Sequence, residues 1–449
     1  MQYPLPEKLV NLIKNSDFQK VANIAYEYLL KNYSFGIRKR IEFELDRINR
    51  WKINYPYTLE KAYNLLRKEI EDLTYEEFMI FLSRGCIDSK NIDDQTFIHR
   101  RFIPNFFWLC KEQEKRRKKK NIQKALEPKK KLKERVFKII ENPEGHVLPI
   151  EYHIRVKVKI KENAIKKDEK VRVWIPIPRE DGLNTDLKII FSRPEIKKIS
   201  NEKQRTVYFE ENISEYSEFL LEYRFKSYGF FKKIDINRIE PYNEDEIYKR
   251  YTLEKPPHIT FTSYLVDLAE KIVRDEKNPY LKAKRIWKWI TYNVKYTYAH
   301  DYALYDNISE YVARYRRGDC GMQALLFITL CRISGIPARW QSGWYLNPIR
   351  TSMHDWAQFY IEPYGWLYAD PSFGSFRHGE EWRNDFYLGG IDGYRLAANI
   401  DISTPFDPPK KYIRSDPVDN QIGEVEWAKG NLYYDKWEYS LEIVKMHEK

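Results

Sequence analysis

Cysteine is scarce in this chain of 449 residues, occurring only at Cys86, Cys110, Cys320 and Cys331. Those spacings match neither a zinc-ligand pair nor a disulfide framework. The sequence therefore predicts no structural metal, no cofactor and a reducing compartment, which is expected to be the cytoplasm. No apolar run approaches the roughly 20 residues that a bilayer-spanning helix needs. The opening residues, Met1 to Lys8, lack a basic stretch followed by an apolar core, so they do not read as a secretory leader. Aromatic residues are nearly missing from the most basic stretch. Between Lys111 and Ile140 there are 14 Lys or Arg against Glu112, Glu114, Glu127 and Glu134, and Phe137 is the only aromatic. This run holds nearly all of the formal net charge of +12. It reads as a solvated helix and linker. An anionic partner, nucleic acid or acidic lipid, would find charge there but neither a stacking platform nor a nucleic-acid fold motif.

What is present supports several domains, since 43% hydrophobic and 32% charged residues are enough for two to four separate cores. Residues 1–110 read as a helical domain, with Leu9, Ile13, Val21, Ala25, Tyr28 and Leu29 at helical spacing. Thr58 is a predicted helix cap, and Thr74 with Glu77 a predicted capping box. Residues 111–147 are the basic linker. Over 148–250, Ile154, Val156, Val158 and Ile160 alternate with basic residues and Val171, Val173, Ile175 and Ile177 repeat the pattern, which predicts an antiparallel β-sandwich. Residues 251–449 form the last domain, opened by helices capped at Thr262 and at Asn278, with Pro279 in the first turn. Its tail, 376–449, is expected to wrap the core or cover a cleft, with a hairpin around Glu424 to Ile443. His378 reads as a surface histidine.

Chemistry concentrates between Gly318 and Ser372. Gly318-Asp319-Cys320-Gly321 opens an apolar run, Ala324, Leu325, Phe327, Ile328, Leu330 and Cys331, that predicts a buried helix ended by Gly335 and Pro337. Cys320 in the first turn meets unpaired amides and the positive end of the helix dipole, which favour thiolate. Cys331 reads as a small buried hydrophobe. A strand follows from His354, with His354, Trp356, Gln358 and Tyr360 on one face and Asp355, Ala357, Phe359 and Ile361 on the other. Turn residues Glu362 to Gly365 lead into Trp366 to Asp370, so the predicted hairpin brings His354 and Asp370 together at its open end. A cysteine, a histidine and a carboxylate in this order are the parts of an activated thiol nucleophile. Trp356 and Trp366 read as core aromatics. The tyrosines from Tyr292 to Tyr311 crowd the approach to Cys320, where Tyr296 is a candidate donor to an oxyanion.

These residues resemble the transglutaminase-like superfamily of papain-type cysteine enzymes. The matching pattern is Gly-x-Cys, then Arg332 to Arg339 as Arg-x-x-Gly-Ile-Pro-Ala-Arg, then His-x-Trp from His354, then Gly-Trp-x-x-x-Asp-Pro-Ser from Gly365. The resemblance implies a multidomain α+β protein whose papain-like core packs a buried helix on an antiparallel sheet. It also implies that Cys320 is the nucleophile, His354 the general base and acid, and Asp370 the orienting carboxylate. Chemistry would run through a thioester on a peptide or protein amide substrate. Two departures stand out. Animal cross-linking members look like Gly-Gln-Cys-Trp where this chain has Gly318-Asp319-Cys320-Gly321, and many microbial members carry Glu where Gln358 stands. The favoured reading is a cysteine hydrolase of amide or peptide bonds. A protein-glutamine acyltransferase and a non-catalytic scaffold of the same fold are the alternatives. Nothing in the sequence sets the oligomeric state.

Overall fold

The computed structural model describes residues 4–31, 33–118, 126–166, 168–347, 350–374 and 380–448. His378 and the middle of the basic run lie outside the described residues. The chain forms two compact units, the first made of 1–122, 295–306 and 317–319 and the second of 123–294, 307–316 and 320–449. Among the described residues no helix is long and apolar enough to cross a membrane.

In the first unit, helices Glu7–Lys14, Phe18–Leu29 and Phe35–Asn54 bury Leu9, Phe18, Val21, Ala25, Ile41 and Ile48 in one core. Helices Leu59–Arg67, Tyr75–Ser83 and Phe102–Leu109 bury Ala62, Leu66, Phe78, Phe102 and Phe106 in a second. The local start signals are where the sequence puts them. Thr58 accepts from the Lys61 amide, and Thr74 and Glu77 close a reciprocal capping box.

Three features of this unit correct the sequence reading. A hairpin, Ser89–Ile92 with Gln95–Ile98, sits among the helices, turning at Asp93 and Asp94. Cys86 and Cys110 are joined as a disulfide with their Cα atoms 5.9 Å apart, so the expectation of no disulfide is overturned. Spacing in the sequence missed it because two distant helical segments bring the pair together. The unit also takes in residues far beyond 110. Asn105 holds the backbone of Tyr298 from both sides, donating to its carbonyl at 3.0 Å and accepting from its amide at 2.7 Å. Arg47 reaches the Leu304 carbonyl at 3.1 Å and the Asp306 carboxylate at 2.9 Å. Two basic residues at the start of the linker are paired within this unit: Arg116 with Glu77 and Asp72, and Arg117 with Glu69.

Among the described residues of the second unit, two antiparallel sheets pack together. One orders Trp437–Glu448, Glu144–Ile160, Glu218–Lys232 and Asn184–Arg193; the other orders Gly430–Leu432, Glu424–Trp427, Lys170–Pro176, Thr206–Asn212 and Lys198–Ile199. Phe209 and Phe219, one from each sheet, pack with ring centroids 5.7 Å apart. Ile154, Val156 and Val158 are fully buried, as their alternation requires. The tail does not behave as a lid, because its strands complete both sheets: Val425 pairs with Val173, and Leu441 with Val156.

A third sheet orders Leu388–Gly389, Gly365–Ala369, Arg350–Ile361, Ala338–Asn347 and Arg395–Asn399. The helix Cys320–Ile333, buried from Cys320 through Arg332, packs on it with Phe327 against Phe359 at 5.7 Å. Trp287 of the Pro279–Asn293 helix and Ser309 of the Ile308–Tyr315 helix enclose it from other sides. Gly335, at φ +76°, ends the helix, while the amides of Gly335 and Ile336 take the carbonyls of Arg332 and Cys331.

The first unit carries a built-in sensitivity to acid. His99 and His300 lie buried with ring centroids 5.3 Å apart, and Tyr305 stacks on His300 at 4.7 Å. Burial, and for His99 the neighbouring His300, pushes each imidazole down to about 3. Near neutral pH both histidines are unprotonated folded or unfolded. As pH falls below about 6.5 the unfolded chain takes up protons that the folded chain refuses, so stability falls until about pH 3. The His99→Phe, His300→Phe pair is expected to flatten that loss. Melting temperature between pH 7 and pH 4, compared with the parent chain, checks it.

Candidate active site

Each site residue is placed by a local rule. Cys320 is the first residue of the buried helix, His354 lies on the central strand of the sheet, and Asp370 follows the neighbouring strand. The hairpin register, with Ala357 opposite Ala369 and Tyr360 opposite Trp366, carries Asp370 back to His354. The two meet directly. His354 Nε2 lies 2.6 Å from Asp370 Oδ2, both side chains being buried.

The same carboxylate is shared. Arg395 donates from Nη1 to Asp370 Oδ2 at 2.9 Å, and Ser372 donates to Oδ1 at 2.9 Å. Burial alone would raise the Asp370 carboxyl, but the charges of His354 and Arg395 outweigh it and draw it down to about 2. Arg395 in turn rests on Asp392, donating from Nη2 at 2.9 Å, while Tyr387 donates to the same oxygen at 2.9 Å. Burial opposes the charged guanidinium, yet Asp392 and Asp370 prevail and hold it protonated. Its plane faces the rings of Phe373, Tyr345 and Trp356 at 4.8, 5.0 and 5.2 Å. Arg135, from the linker helix Leu126–Ile140, donates to the Asp392 carbonyl at 2.7 Å.

Cys320 and His354 belong to adjoining elements, and the residue after His354 touches the thiol: Cys320 Sγ donates to Asp355 Oδ2 at 3.4 Å. Gln421 Nε2 holds the other oxygen of Asp355 at 2.6 Å. Gln358 accepts from Arg339 Nε at 2.8 Å, and that guanidinium stacks on Trp366 at 4.0 Å. Trp356 is buried and donates to Gln341 at 2.6 Å. Cys331 is buried, and burial raises its thiol well above the usual range. Tyr296 lies in the first unit with its ring edge on Trp108, centroids 5.1 Å apart. In that unit Tyr302 also donates to Asp319 at 2.6 Å.

The family model of the transglutaminase-like superfamily matches residues 266–371, the span holding Cys320, His354 and Asp370. Residues 266–371 are a transglutaminase-like core. Among solved structures, a putative cysteine protease from Cytophaga hutchinsonii is similar at 17% identity over 68% of this chain and 90% of that one, with a TM-score of 0.40. The periplasmic domain of TgpA from Pseudomonas aeruginosa is similar at 15% identity over 51% of this chain and 91% of that one, with a TM-score of 0.28. No curated protein matches the chain.

Sequence reading missed Arg395, Asp392, Asp355 and Gln421. Only Asp355 carried a local signal. Ala357, Phe359 and Ile361 mark the helix-facing side of the strand, and Asp355 is the charged residue in that apolar row. Arg395→Met would leave the buried carboxylates of Asp370 and Asp392 without their shared cation, which should cost about 3–5 kcal/mol. Denaturant unfolding at pH 7 checks this, and adding Asp392→Asn should recover part of the loss. The Asp370 contribution is present above its unfolded value near 3.8 and is lost as pH falls through about 2.

Proposed function

We propose that the chain is a cysteine hydrolase of amide or peptide bonds that works through a thioester, with Cys320 as nucleophile, His354 as base and acid, and Asp370 as the group that orients the imidazole. The observation that carries this reading is the buried His354–Asp370 pair at 2.6 Å, on the strand against which the Cys320 helix packs. In activated cysteine nucleophiles a carboxylate holds one ring nitrogen of the histidine and the second exchanges a proton with the thiol.

In the proposed cycle, Sγ forms a bond to the amide carbon while the thiol proton passes to the His354 imidazole. The carbonyl π pair moves to oxygen, where the Cys320 amide at the helix start is one donor. Collapse breaks the carbon–nitrogen bond, and the imidazolium gives its proton to the leaving amine. Water, deprotonated by His354, then resolves the thioester. Replacing water by an amine would give acyl transfer from the same intermediate. Asp370 stays ionised throughout, and Arg395 keeps it so.

Location in the cytoplasm remains part of the proposal, and the Cys86–Cys110 disulfide weighs against it, because such bonds persist mainly in oxidising compartments.

A peptide-based electrophile, followed by mass spectrometry, tests the triad. One adduct at Cys320 is expected, with none at Cys331, and His354→Ala should slow its formation by about 100-fold or more while the melting temperature is kept. Amide hydrolysis and hydroxylamine or amine capture of the acyl-enzyme separate water from amine as the resolving partner. A folded protein whose Cys320 forms adducts at the same rate with and without His354 would leave only the scaffold reading.

A further inference from the structure

At the far end of the buried helix from Cys320, one cation is only partly satisfied. Arg332 stands in the last turn of Cys320–Ile333, about 18 Å of helix axis from its first residue, and is 5% exposed. Its Nε donates to the Ala338 carbonyl at 2.9 Å and its Nη1 to the Leu253 carbonyl at 2.7 Å. Nη2 has no hydrogen-bond partner among the described residues, and none of their carboxylates forms an ion pair with the guanidinium. Burial draws this group down to about 10, and the charge of Asp401 opposes that only in part. Near neutral pH it is still a cation, buried at a cost that its two carbonyl contacts do not fully offset.

Arg332 lines a cleft of about 370 Å³, within the size range of small-molecule sites, and all the lining residues belong to the second unit. Asp401, a carboxylate in the wall, is already shared by two lysines, Lys203 at 3.0 Å and Lys255 at 2.7 Å. Arg250, also in the wall, has no carboxylate partner among the described residues and lies over the Tyr251 ring at 5.7 Å. Of the other two lining carboxylates, Glu254 accepts from the Phe261 amide and Glu202 is exposed. Four cations therefore line the cleft against three carboxylates, which leaves one positive charge over. The hydroxyl of Thr404, another lining residue, is buried with no hydrogen-bond partner among the described residues. Leu253, 62% exposed, and Pro405 give the same cleft an apolar side.

We infer that this cleft is a binding site for a small organic carboxylate, held by Arg332 and Arg250 with its apolar body against Leu253 and Pro405. One carboxylate oxygen at Nη2 would complete the hydrogen bonding of Arg332 and supply the counter-charge that the guanidinium lacks. Water would satisfy the hydrogen bond but leave the charge unpaired. A phosphate carries about one and a half to two negative charges near pH 7, more than the surplus, and would bring the excess against Glu202 and Glu254. The same carboxylate group is presented by a free acid and by the end of a peptide. The inference goes beyond the hydrolase reading and makes no use of Cys320, which lies at the other end of the helix.

The test is titration calorimetry on the full chain at pH 7 in chloride buffer of constant ionic strength. The probes are 3-phenylpropanoate, its amide, an acetylated dipeptide acid ending in phenylalanine, and inorganic phosphate. One saturable site per chain is expected for an acid, with no binding of the amide and weaker binding of phosphate. Whichever acid binds more tightly tells a free acid from a peptide end as the natural source. Arg250→Glu, a change at an exposed residue, should weaken that acid by about tenfold or more. Arg332→Lys keeps the charge, loses the planar fork and should weaken it by about as much. Lys271→Glu alters the net charge as Arg250→Glu does but lies outside the cleft, and should leave binding unchanged. If the Arg332→Lys protein shows no cooperative melt, Arg250→Glu decides. Failure of both acids to bind overturns the proposal, as does amide or phosphate binding as tight as that of the acid. So does a folded Arg250→Glu or Arg332→Lys protein that binds the acid unchanged, or an equal loss in Lys271→Glu.

Discussion

Asp370 is a fully buried carboxylate, and such a charge is tolerated only if its surroundings return what it loses in leaving water. Here they do so with a serine hydroxyl, an imidazole and a guanidinium. Arg395 would itself be out of place in a dry interior, so it needs Asp392, which needs Tyr387 and the backbone of Tyr394. Much of the local structure follows from this chain of obligations. The strand Arg395–Asn399 must deliver Arg395 across the face of its sheet, and the loop before that strand must deliver Asp392. The aromatic box of Tyr345, Trp356 and Phe373 supplies π faces where further polar partners would be too many. A histidine held at the edge of such a network has little freedom to choose another orientation.

The surroundings of Cys320 in the second unit are less one-sided. His354 is oriented by fixed charge, whereas the Cys320 sulfur also meets the Asp355 carboxylate. Gln421, from a segment read in the sequence as part of a covering tail, locks that carboxylate in place. The transglutaminase-like core therefore takes part of its electrostatics from residues outside 266–371, the span that the family model recognises.

Legibility in the sequence followed the range of the interactions. Caps at Thr58, Thr74, Thr262 and Asn278 were readable because donor and acceptor lie within one turn. The meeting of His354 with Asp370 was readable because one hairpin joins them. Arg395 was not, since an arginine between Tyr394 and Leu396 looks like any strand residue until Asp370 is set beside it. The limits of the helical domain were also hidden. Asn105 binds the backbone of Tyr298, and a backbone contact leaves no mark on composition. The disulfide escaped for a related reason, its two cysteines being separated by 24 positions of helix and hairpin.

The strand Trp437–Glu448 lies along Glu144–Ile160, and their side chains join across the sheet where Arg155 bonds Glu442, 287 positions away. Without that strand this flank of the sandwich is an open edge, and an open edge is a site for wrong pairing. Closing so long a loop is slow, because chain entropy is lost before the contacts that offset it form. Completion of the sandwich thus waits on a pairing between two far-separated segments, and a chain lacking Trp437–Glu448 would carry an intact third sheet beside an unfinished one.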